Sequence, residues 1–399
     1  MKKISLETQT LIAVGMGIVF GYAIPEAAAS TLFVGKIYVG LLKMIIIPLV
    51  STSVFTAIAG KDDSEALKGL GKKTAGYYLV TGVMASLVGL ICANLFFPFQ
   101  DNFQSQLSFS GEKPGALTLG QFFLSFVPQN PLEAFVSGDM VKILVFVILC
   151  ALVAKQLPRE TRKKFIAPIE GLNELFQLLT FKLVKLAPIG AFFLIGGFVT
   201  KMLGQNFNDY LKFFYATTLA LIVHSLFTLG AIARFIGGFS LFKFFGQVSE
   251  AIFLAFTTQS SSATLPVSMR VLEENADVSP EVARLTAPLG ATLNMDGSAL
   301  YHALLLLFFA QLEGIHLGPM QQLAIIFLTQ VSSAGTAGIP SGGLMMMSMM
   351  LGFLKLPADY LALYFLLDRF WDMPVTAVNV WGDLVGAKTI DKLHLSRPR

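Results

Sequence analysis

Apolar residues run along this chain in stretches far longer than a β-strand or an amphipathic surface helix. Three windows lack Asp, Glu, Lys and Arg altogether: Thr74–Gln100, Phe213–Ala233 and Gly314–Leu354. About 20 apolar residues are enough to span a bilayer as an α-helix. Ten apolar segments follow one another, centred near residues 10–25, 31–59, 74–98, 119–154, 169–200, 207–236, 251–269, 284–312, 320–353 and 357–387. This pattern predicts an all-α polytopic membrane protein.

Two of the apolar segments are interrupted by small and polar residues, one at Thr257–Pro266 and the other at Ser332–Gly343. Irregular backbone at membrane depth must be buried in protein or line a wet cavity, and a matched pair of broken segments points to a transporter binding site. If both are re-entrant hairpins, the loops rich in Lys and Arg all face the cytoplasm. We therefore expect eight transmembrane helices plus two re-entrant hairpins, with both termini in the cytoplasm.

Composition removes several classes of protein. The 399 residues are 54% hydrophobic and 14% charged, with a net charge of +4, whereas soluble proteins carry about 25% charged residues. Soluble enzymes, nucleic-acid-binding proteins and fibrous proteins are excluded. Cys92 and Cys150 lie inside apolar runs, which favours buried thiols over a disulfide framework. The short basic N-terminus leads into the first apolar segment without a cleavage site, which favours a transmembrane helix over a signal peptide.

Three aspartates, Asp296, Asp372 and Asp383, lie in apolar segments. Each costs about 2.5–3.5 kcal/mol at a helix centre, so together they require about 8–10 kcal/mol of compensation. Ion pairing or helix capping is one explanation, but Arg369 is the one basic residue in the middle of the last apolar segment. Helical spacing places several polar positions and one valine on a single face: Asp372, Val375, Thr376, Asn379 and Asp383. Oxygen-rich faces suit hard cations and hairpin helix N-termini attract carboxylates, which indicates cation-coupled uptake of a carboxylate-bearing solute.

Four stretches carry a family resemblance: Gln259-Ser-Ser-Ser-Ala-Thr-Leu-Pro266, Gly290-Ala-Thr-Leu-Asn-Met-Asp-Gly297, Ser333-Ala-Gly-Thr-Ala-Gly-Ile-Pro340 and Asn379-Val-Trp-Gly-Asp383. They resemble, in order, the signature motifs of the dicarboxylate/amino acid:cation symporter family, which has the glutamate-transporter fold. The resemblance covers nearly the whole chain. It also includes Lys43-Met44 with Pro48, Pro128-Gln-Asn-Pro131 and Ala187-Pro-Ile-Gly190.

The resemblance implies inverted repeats and a homotrimer in the cell membrane, working by an elevator mechanism. Residues 8–72 and 119–200 would form a fixed scaffold and trimerisation domain. Residues 73–98 and 207–390 would form the moving transport domain. Hairpin 1 would cover about 250–270 and hairpin 2, the lid, about 320–353. The expected partners are a small amino-acid substrate and the lipid bilayer, without nucleic acid.

The same resemblance implies two or three sodium sites and no organic cofactor, although the coupling cation could be a proton. The first site would use Gly290, Asn294, Asn379 and Asp383. The second would use Thr292 with carbonyl groups of Ser333, Ala334 and Thr336. The third would use Tyr78, Thr81, Asn294 and Asp296. Gly82 stands where the family commonly has a hydroxyl residue, so we expect the third site to lack one oxygen.

The substrate site implied by the resemblance comprises Ser261, Ser262, Ser298, Ile339, Gly343, Asp372, Val375, Thr376 and Asn379. An Asp at position 372 would hold the amino group, and Asn379 would help to hold the α-carboxylate. Family members for acidic substrates have an Arg at position 375, and Gln259 and Met373 stand where a second Arg is found. Burying a substrate carboxylate beside Val375 would cost several kcal/mol, so we expect a neutral amino acid. Acidic amino acids or C4-dicarboxylates remain the alternative, also because Pro374 can kink this helix.

Two other classes of function are weaker hypotheses. Asp296 and Asp383 could form the carboxylate dyad of an intramembrane aspartyl protease, but Val380-Trp-Gly-Asp383 lacks the first glycine of a Gly-x-Gly-Asp signature. A passive channel is the other class, and the two hairpins favour alternating access over it. Arg369 is interpreted as a structural partner of Asp368. His302 is the one histidine that we consider as a proton carrier, because it follows Ser298 closely.

Overall fold

The computed structural model describes residues 6–59, 65–98, 124, 127–202, 207–336 and 342–395, and regular structure within these ranges is helical throughout. The helices, numbered in chain order, are α1 Leu6–Ala23, α2 Pro25–Ala59, α3 Glu65–Phe96, α4 Pro131–Ser137, α5 Met140–Ala154, α6 Arg159–Val184, α7 Ala187–Met202, α8 Phe207–Ile222, α9 Leu241–Thr258, α10 Ser261–Glu274, α11 Pro280–Leu293, α12 Asp296–Leu312, α13 Pro319–Thr336, α14 Gly342–Phe353 and α15 Tyr360–Leu395. Helix α8 continues as two π-helical turns, Val223–Thr228 and Ile232–Ile236, joined by Leu229–Ala231.

Among the described residues, four helical spans are long and apolar enough to cross a membrane: Pro25–Thr56, Gly69–Phe96, Asn208–Ile236 and Pro280–Leu312. A bent pair, α6 with α7, makes a fifth if the 58° bend belongs to one broken span. The all-helical, polytopic architecture predicted from the hydropathy pattern is therefore confirmed. The arrangement of eight crossings and two re-entrant hairpins stays a prediction.

Small residues let α1 and α7 pack backbone to backbone. A Cβ atom at Gly17 would lie 2.7 Å from the Phe192 carbonyl oxygen, and one at Gly21 would lie 2.5 Å from that of Gly196. Such close approach is the usual role of small residues between membrane helices. Helix α2 packs against α5, α6 and α7 as well. These helices form one tightly packed group.

A second group of helices surrounds the broken span Pro280–Leu312, in whose most apolar window 83% of the residues are buried. Helix α12 packs along α3, and a Cβ atom at Gly89 would clash with the Leu300 backbone. Helices α9 and α11 pack against α15. The ring of Phe244 stacks on that of Trp381 with their centroids 5.6 Å apart. Helices α13 and α14, which form the second broken apolar segment of the sequence, also pack against α12.

The helix breaks fall close to the predicted positions. Helix α9 ends before Gln259, its C-cap residue, whose φ of 52° is left-handed. Ser260 caps α10 by accepting a hydrogen bond from the Ala263 amide at 3.2 Å. Pro266, at the edge of the predicted break, lies inside α10. Pro374 likewise lies inside α15, which continues as one helix through it. The helical register that places Asp372 through Asp383 on one face is therefore present.

Candidate functional site

The break between α11 and α12 brings the side chain of Asn294 to the last helix. Asn294 ends α11 with an extended backbone, and its Nδ2 donates to Asp383 Oδ1 at 2.9 Å and to the Asn379 carbonyl at 3.2 Å. Its Oδ1 accepts from the Thr81 hydroxyl at 3.2 Å. Asn294 is 1% exposed and Asp383 4%. Four of the predicted cation-site residues, from three helices, thus form one buried network.

Asp296 begins α12 two residues after this break, and its side chain is fully buried. Its Oδ2 lies 3.2 Å from Nε2 of His224, whereas its Oδ1 is buried without a hydrogen-bond partner. A Cβ atom at Gly382 would lie 2.6 Å from Asn294 Nδ2 and 2.8 Å from Asp296 Oδ2. Glycine at position 382 therefore allows both polar side chains to reach α15.

Gly290 performs the same steric role on α11. A Cβ atom there would lie 2.5 Å from Asp383 Oδ1 and 2.8 Å from the Tyr78 hydroxyl oxygen. The Tyr78 hydroxyl donates to the Thr286 carbonyl at 3.1 Å. Tyr78 and Gly290 accordingly belong to the same buried cluster as Asp383.

The chemistry of this cluster fits a hard monovalent cation. Its acceptors are the carboxylates of Asp296 and Asp383, amide and hydroxyl oxygens of Asn294 and Thr81, and backbone carbonyls. Oxygen ligands of this kind suit hard cations, and the unpartnered Asp296 Oδ1 is an open acceptor. Neither carboxylate pairs with Lys or Arg in the part of the chain that the structure describes, and buried charge without compensation costs several kcal/mol. A bound sodium ion would supply that compensation.

The residues of the predicted second cation site lie on two helices, α11 and α13. The Thr292 hydroxyl donates within α11, to the Pro288 and Leu289 carbonyls at 3.1 and 3.0 Å. Ser333, Ala334 and Thr336 lie in the last turn of α13, which ends at Thr336. The last four carbonyls of an α-helix have no partner within the helix, so these carbonyls are available to a cation.

At position 82, where the sequence lacks the expected hydroxyl residue, the space is taken by a side chain of α13. The Gln330 carboxamide occupies the space that a side chain at Gly82 would need, and a Cβ atom there would clash with Gln330 Oε1. Gln330 Nε2 donates to the Ser86 hydroxyl at 3.2 Å, and the hydroxyls of Ser86 and Thr329 lie 2.8 Å apart. Gln330 was not identified from the sequence, where only the absence of the hydroxyl was visible.

The predicted substrate residues form two hydrogen-bonded pairs. Asn379 Oδ1 accepts from the Ser298 amide at 3.2 Å, and its Nδ2 donates to the Ser298 hydroxyl at 3.1 Å. The Thr376 hydroxyl donates to Asp372 Oδ1 at 3.2 Å. Val375 is 3% exposed, and its carbonyl approaches Gly297, where α12 and α15 cross without room for a side chain. On the face of α15 that meets α12, Asn379 and the Val375 backbone therefore lie against Ser298 and Gly297.

The other predicted substrate residues that the structure describes lie in the first turns of α10 and α14. Ser261 and Ser262 lie in the first turn of α10, half-buried and exposed respectively. A Cβ atom at Gly343 would clash with the Tyr364 hydroxyl, which lies 3.3 Å from His302 Nε2. Ile339 and the side chain of Arg369 lie outside the described residues.

His224 is the second residue that sequence analysis missed. It is fully buried and contacts Asp296, yet in the sequence it is one histidine in an apolar window, without a spacing that assigns it a partner. The one signal in the sequence was a polar, ionisable side chain inside the apolar window Phe213–Ala233.

The chain is similar to known membrane transporters over nearly its whole length. The chain is 31% identical over 98% of its length to the proton/sodium-glutamate symport protein of Geobacillus stearothermophilus, covering 95% of that protein. It is 29% identical to the proton/glutamate-aspartate symporter of Escherichia coli, over 98% of the chain and 93% of the relative. It is also 29% identical to the C4-dicarboxylate transport protein of Burkholderia cenocepacia, over 96% and 91%. The profile of the sodium:dicarboxylate symporter family matches residues 6–393, and the chain belongs to this family of membrane transporters.

Proposed function

We propose that the protein is a secondary active symporter that couples inward movement of sodium to uptake of a neutral amino acid. The observation that carries this proposal is the face of α15, where Asp383 joins the buried oxygen cluster and Val375 occupies the position between Asp372 and Asn379. Because the family consists of transporters, the aspartyl protease hypothesis is abandoned. The two parts of the proposal, coupling ion and substrate, rest on different residues.

Sodium coupling is supported by the oxygen cluster. One ion would be held by Asn294, Asp383, Asn379 and the Gly290 carbonyl, and another by Asp296, Asn294, Thr81 and Tyr78. A third set, Thr292 with carbonyls of Ser333, Ala334 and Thr336, would bind an ion between α11 and the end of α13. Bound sodium would neutralise the carboxylates and stabilise α13 and α14 against α12. Ion binding would in this way favour the closed form of hairpin 2.

Neutral substrate preference is supported by Val375. The carboxylate of Asp372 can accept a hydrogen bond from a substrate ammonium group, and Ser298 with Asn379 supplies donors for an α-carboxylate. Val375 has no donor, so an acidic side chain beside it would lose its hydration without gaining a partner, at a cost of several kcal/mol. Gln259, at the turn between α9 and α10, and Met373 also carry no charge.

Alternating access by an elevator movement is the proposed mechanism. The tightly packed group of α1, α2 and α5 to α7 corresponds to the scaffold proposed for residues 8–72 and 119–200. Helices α8 to α15, with most of α3, correspond to the transport domain proposed for 73–98 and 207–390. We further propose a homotrimer in the plasma membrane with cytoplasmic termini. Hairpin 2 would act as the lid of each transport domain.

A second candidate function is sodium- or proton-coupled uptake of an acidic amino acid or a C4-dicarboxylate. It is favoured by the relatives, which are named for glutamate, aspartate and C4-dicarboxylates. This alternative shares the cation cluster with the first proposal. The two candidates differ in the substrate side chain that lies beside Val375, and the second also allows a proton as the coupling ion.

Uptake by purified protein in liposomes tests both candidates. Uptake is compared under an inward sodium gradient, with choline replacing sodium as the control. The radiolabelled substrates are alanine, serine, threonine, aspartate, glutamate and succinate. We expect accumulation of a neutral amino acid that disappears without sodium. Accumulation of aspartate, glutamate or succinate in its place would overturn the substrate assignment. Uptake that persists in choline and follows a proton gradient would overturn the choice of ion.

A further inference from the structure

The contact between His224 and Asp296 joins two fully buried ionisable side chains that are distant in sequence. Nε2 of His224 lies 3.2 Å from Asp296 Oδ2, and neither side chain is exposed. Asp296 uses one carboxylate oxygen for this contact, while Oδ1 has no hydrogen-bond partner. A buried carboxylate oxygen without a hydrogen-bond partner costs free energy, and a bound ligand at Oδ1 would offset that cost.

The helix that carries His224 departs from α-helical geometry at this point. Val223–Thr228 is a π-helical turn, in which the Leu229 amide bonds to the His224 carbonyl five residues before it. Such wide turns are rare and occur often at functional sites. The carbonyl of Ser225, the next residue, accepts a hydrogen bond from the Trp381 indole at 3.2 Å. The π turn is therefore attached to α15 beside Gly382 and Asp383.

The neighbouring groups restrict how the Asp296 carboxylate can be held. Gly382 leaves space for Asp296 Oδ2 and Asn294 Nδ2, but Asn294 Nδ2 donates to Asp383 and the Asn379 carbonyl. His224 is the hydrogen-bond partner of Asp296 among the described residues. If it were removed, the carboxylate would lose the contact that orients it.

We propose that His224 is a positioning residue for cation binding. Its Nε2–H donates to Asp296 Oδ2 and holds the carboxylate in one orientation, which leaves Oδ1 for the cation. This inference rests on the proposed sodium coupling and concerns the site formed by Asp296, Asn294, Thr81 and Tyr78. Partners that orient metal ligands typically change metal affinity by about 10–100-fold when they are mutated.

Sodium-dependent thermal stabilisation of purified protein tests the inference without requiring transport. A ligand that binds only the native state stabilises it by RT ln(1 + [L]/Kd), so the sodium concentration at which the stabilisation reaches RT ln 2, called here the sodium midpoint, equals the Kd. Sodium chloride is titrated against choline chloride at constant ionic strength, for wild type, His224→Ala and His224→Gln. We expect His224→Ala to raise the sodium midpoint at least about tenfold. His224→Gln, which retains an N–H donor of similar reach, should remain close to wild type.

The matched control is Thr217→Val on the same helix. Thr217 is fully buried and its hydroxyl donates only to the Phe213 carbonyl within α8, so its loss should lower stability without changing the sodium midpoint. If His224→Ala does not fold, His224→Asn replaces it, because the shorter amide cannot reach Asp296 Oδ2. A sodium midpoint equal to wild type in the Ala or Asn variant would overturn the positioning role. So would a Gln variant as defective as Ala.

The same titration separates this inference from the proposed function. A wild-type protein that gains no stability from sodium would contradict sodium coupling itself, and the role of His224 with it. A wild-type protein that responds, together with an unaffected His224→Ala variant, would contradict the role of His224 alone.

Discussion

Asn294 Nδ2 donates a hydrogen bond to Asp383 Oδ1 over 2.9 Å, which ties the break between α11 and α12 to the last helix of the chain. The two residues are 89 positions apart and both are buried. The contact leaves the second carboxylate oxygen of Asp383 and the side-chain oxygen of Asn294 in one polar cluster. A change at either residue should therefore alter ion binding more than folding.

Asp383→Asn is the first prediction. The amide still offers an oxygen to Asn294 but removes the negative charge, so we expect the sodium midpoint to rise by at least about tenfold. Sodium-driven uptake in liposomes should fall in parallel. Thermal unfolding in sodium and choline, followed by uptake, measures both effects.

The control for Asp383→Asn lies on the same helix. Asp391 is also buried, and it accepts from the Ser279 amide at 3.2 Å and the Ser279 hydroxyl at 2.6 Å, at the start of α11. Asp391→Asn should lower the unfolding temperature and leave the sodium midpoint unchanged. Equal sodium midpoints in the two variants would contradict a special role for Asp383.

Val375→Arg is the second prediction. The guanidinium would offer a paired donor to a side-chain carboxylate, and hydrogen bonds to charged groups contribute about 1.5–3 kcal/mol. We expect the ratio of glutamate or aspartate uptake to alanine or serine uptake to rise by about 10–100-fold. Val375→Met, similar in reach but uncharged, is the control and should retain neutral preference. An unchanged ratio in the Arg variant would show that position 375 does not face the substrate side chain.

Gly82→Ser is the third prediction. The added side chain would meet the Gln330 carboxamide, and overpacking of this kind costs about 1–3 kcal/mol. We expect a lower unfolding temperature that is restored in part by Gln330→Ala in the same chain. Gly76→Ser is the control, since among the described residues only its own helix backbone and chain neighbours come within 4 Å of a Cβ atom there. Additive effects of Gly82→Ser and Gln330→Ala would contradict direct contact.

Different parts of this structure were accessible from the sequence to different degrees. The lengths of the apolar segments and the two broken segments predicted a helical membrane transporter, because the bilayer allows few other backbones. Helical spacing also placed Asp372 and Thr376 in reach of each other, and they are hydrogen-bonded at 3.2 Å. Contacts within one regular helix follow from its geometry.

Contacts between helices were less accessible. The association of Asn294 with Asp383 came from motif resemblance, because no local pattern relates residues so distant in sequence. His224 reaches Asp296 from a π-helical turn, which hydrophobic periodicity does not reveal. Gln330 fills a space that the sequence displayed only as a missing hydroxyl at Gly82. In each case the side chain's role depends on which helix packs beside it.

The last prediction concerns an ion pair between the proposed scaffold and transport domains. Lys36 Nζ on α2 lies 3.2 Å from Asp359 Oδ1, just before α15, and both line a cavity of about 260 Å³. The side chains are 56% and 36% exposed, so the pair should contribute at most about 1 kcal/mol to stability. An elevator movement of α15 past α2 would have to break it.

Lys36→Ala should therefore change the maximal rate of uptake by about two- to fivefold, as expected for an interaction of at most about 1 kcal/mol, while the substrate KM and the sodium midpoint stay near wild type. Exchanging the charges, Lys36→Asp with Asp359→Lys, should return the rate towards wild type, since the pair is re-formed with opposite sign. Lys142→Ala serves as the control, because Lys142 pairs with Asp139 three residues away and so spans no domain boundary. A rate unaffected by Lys36→Ala, or a charge exchange that fails to restore it, would contradict a contribution of this ion pair to the transport cycle.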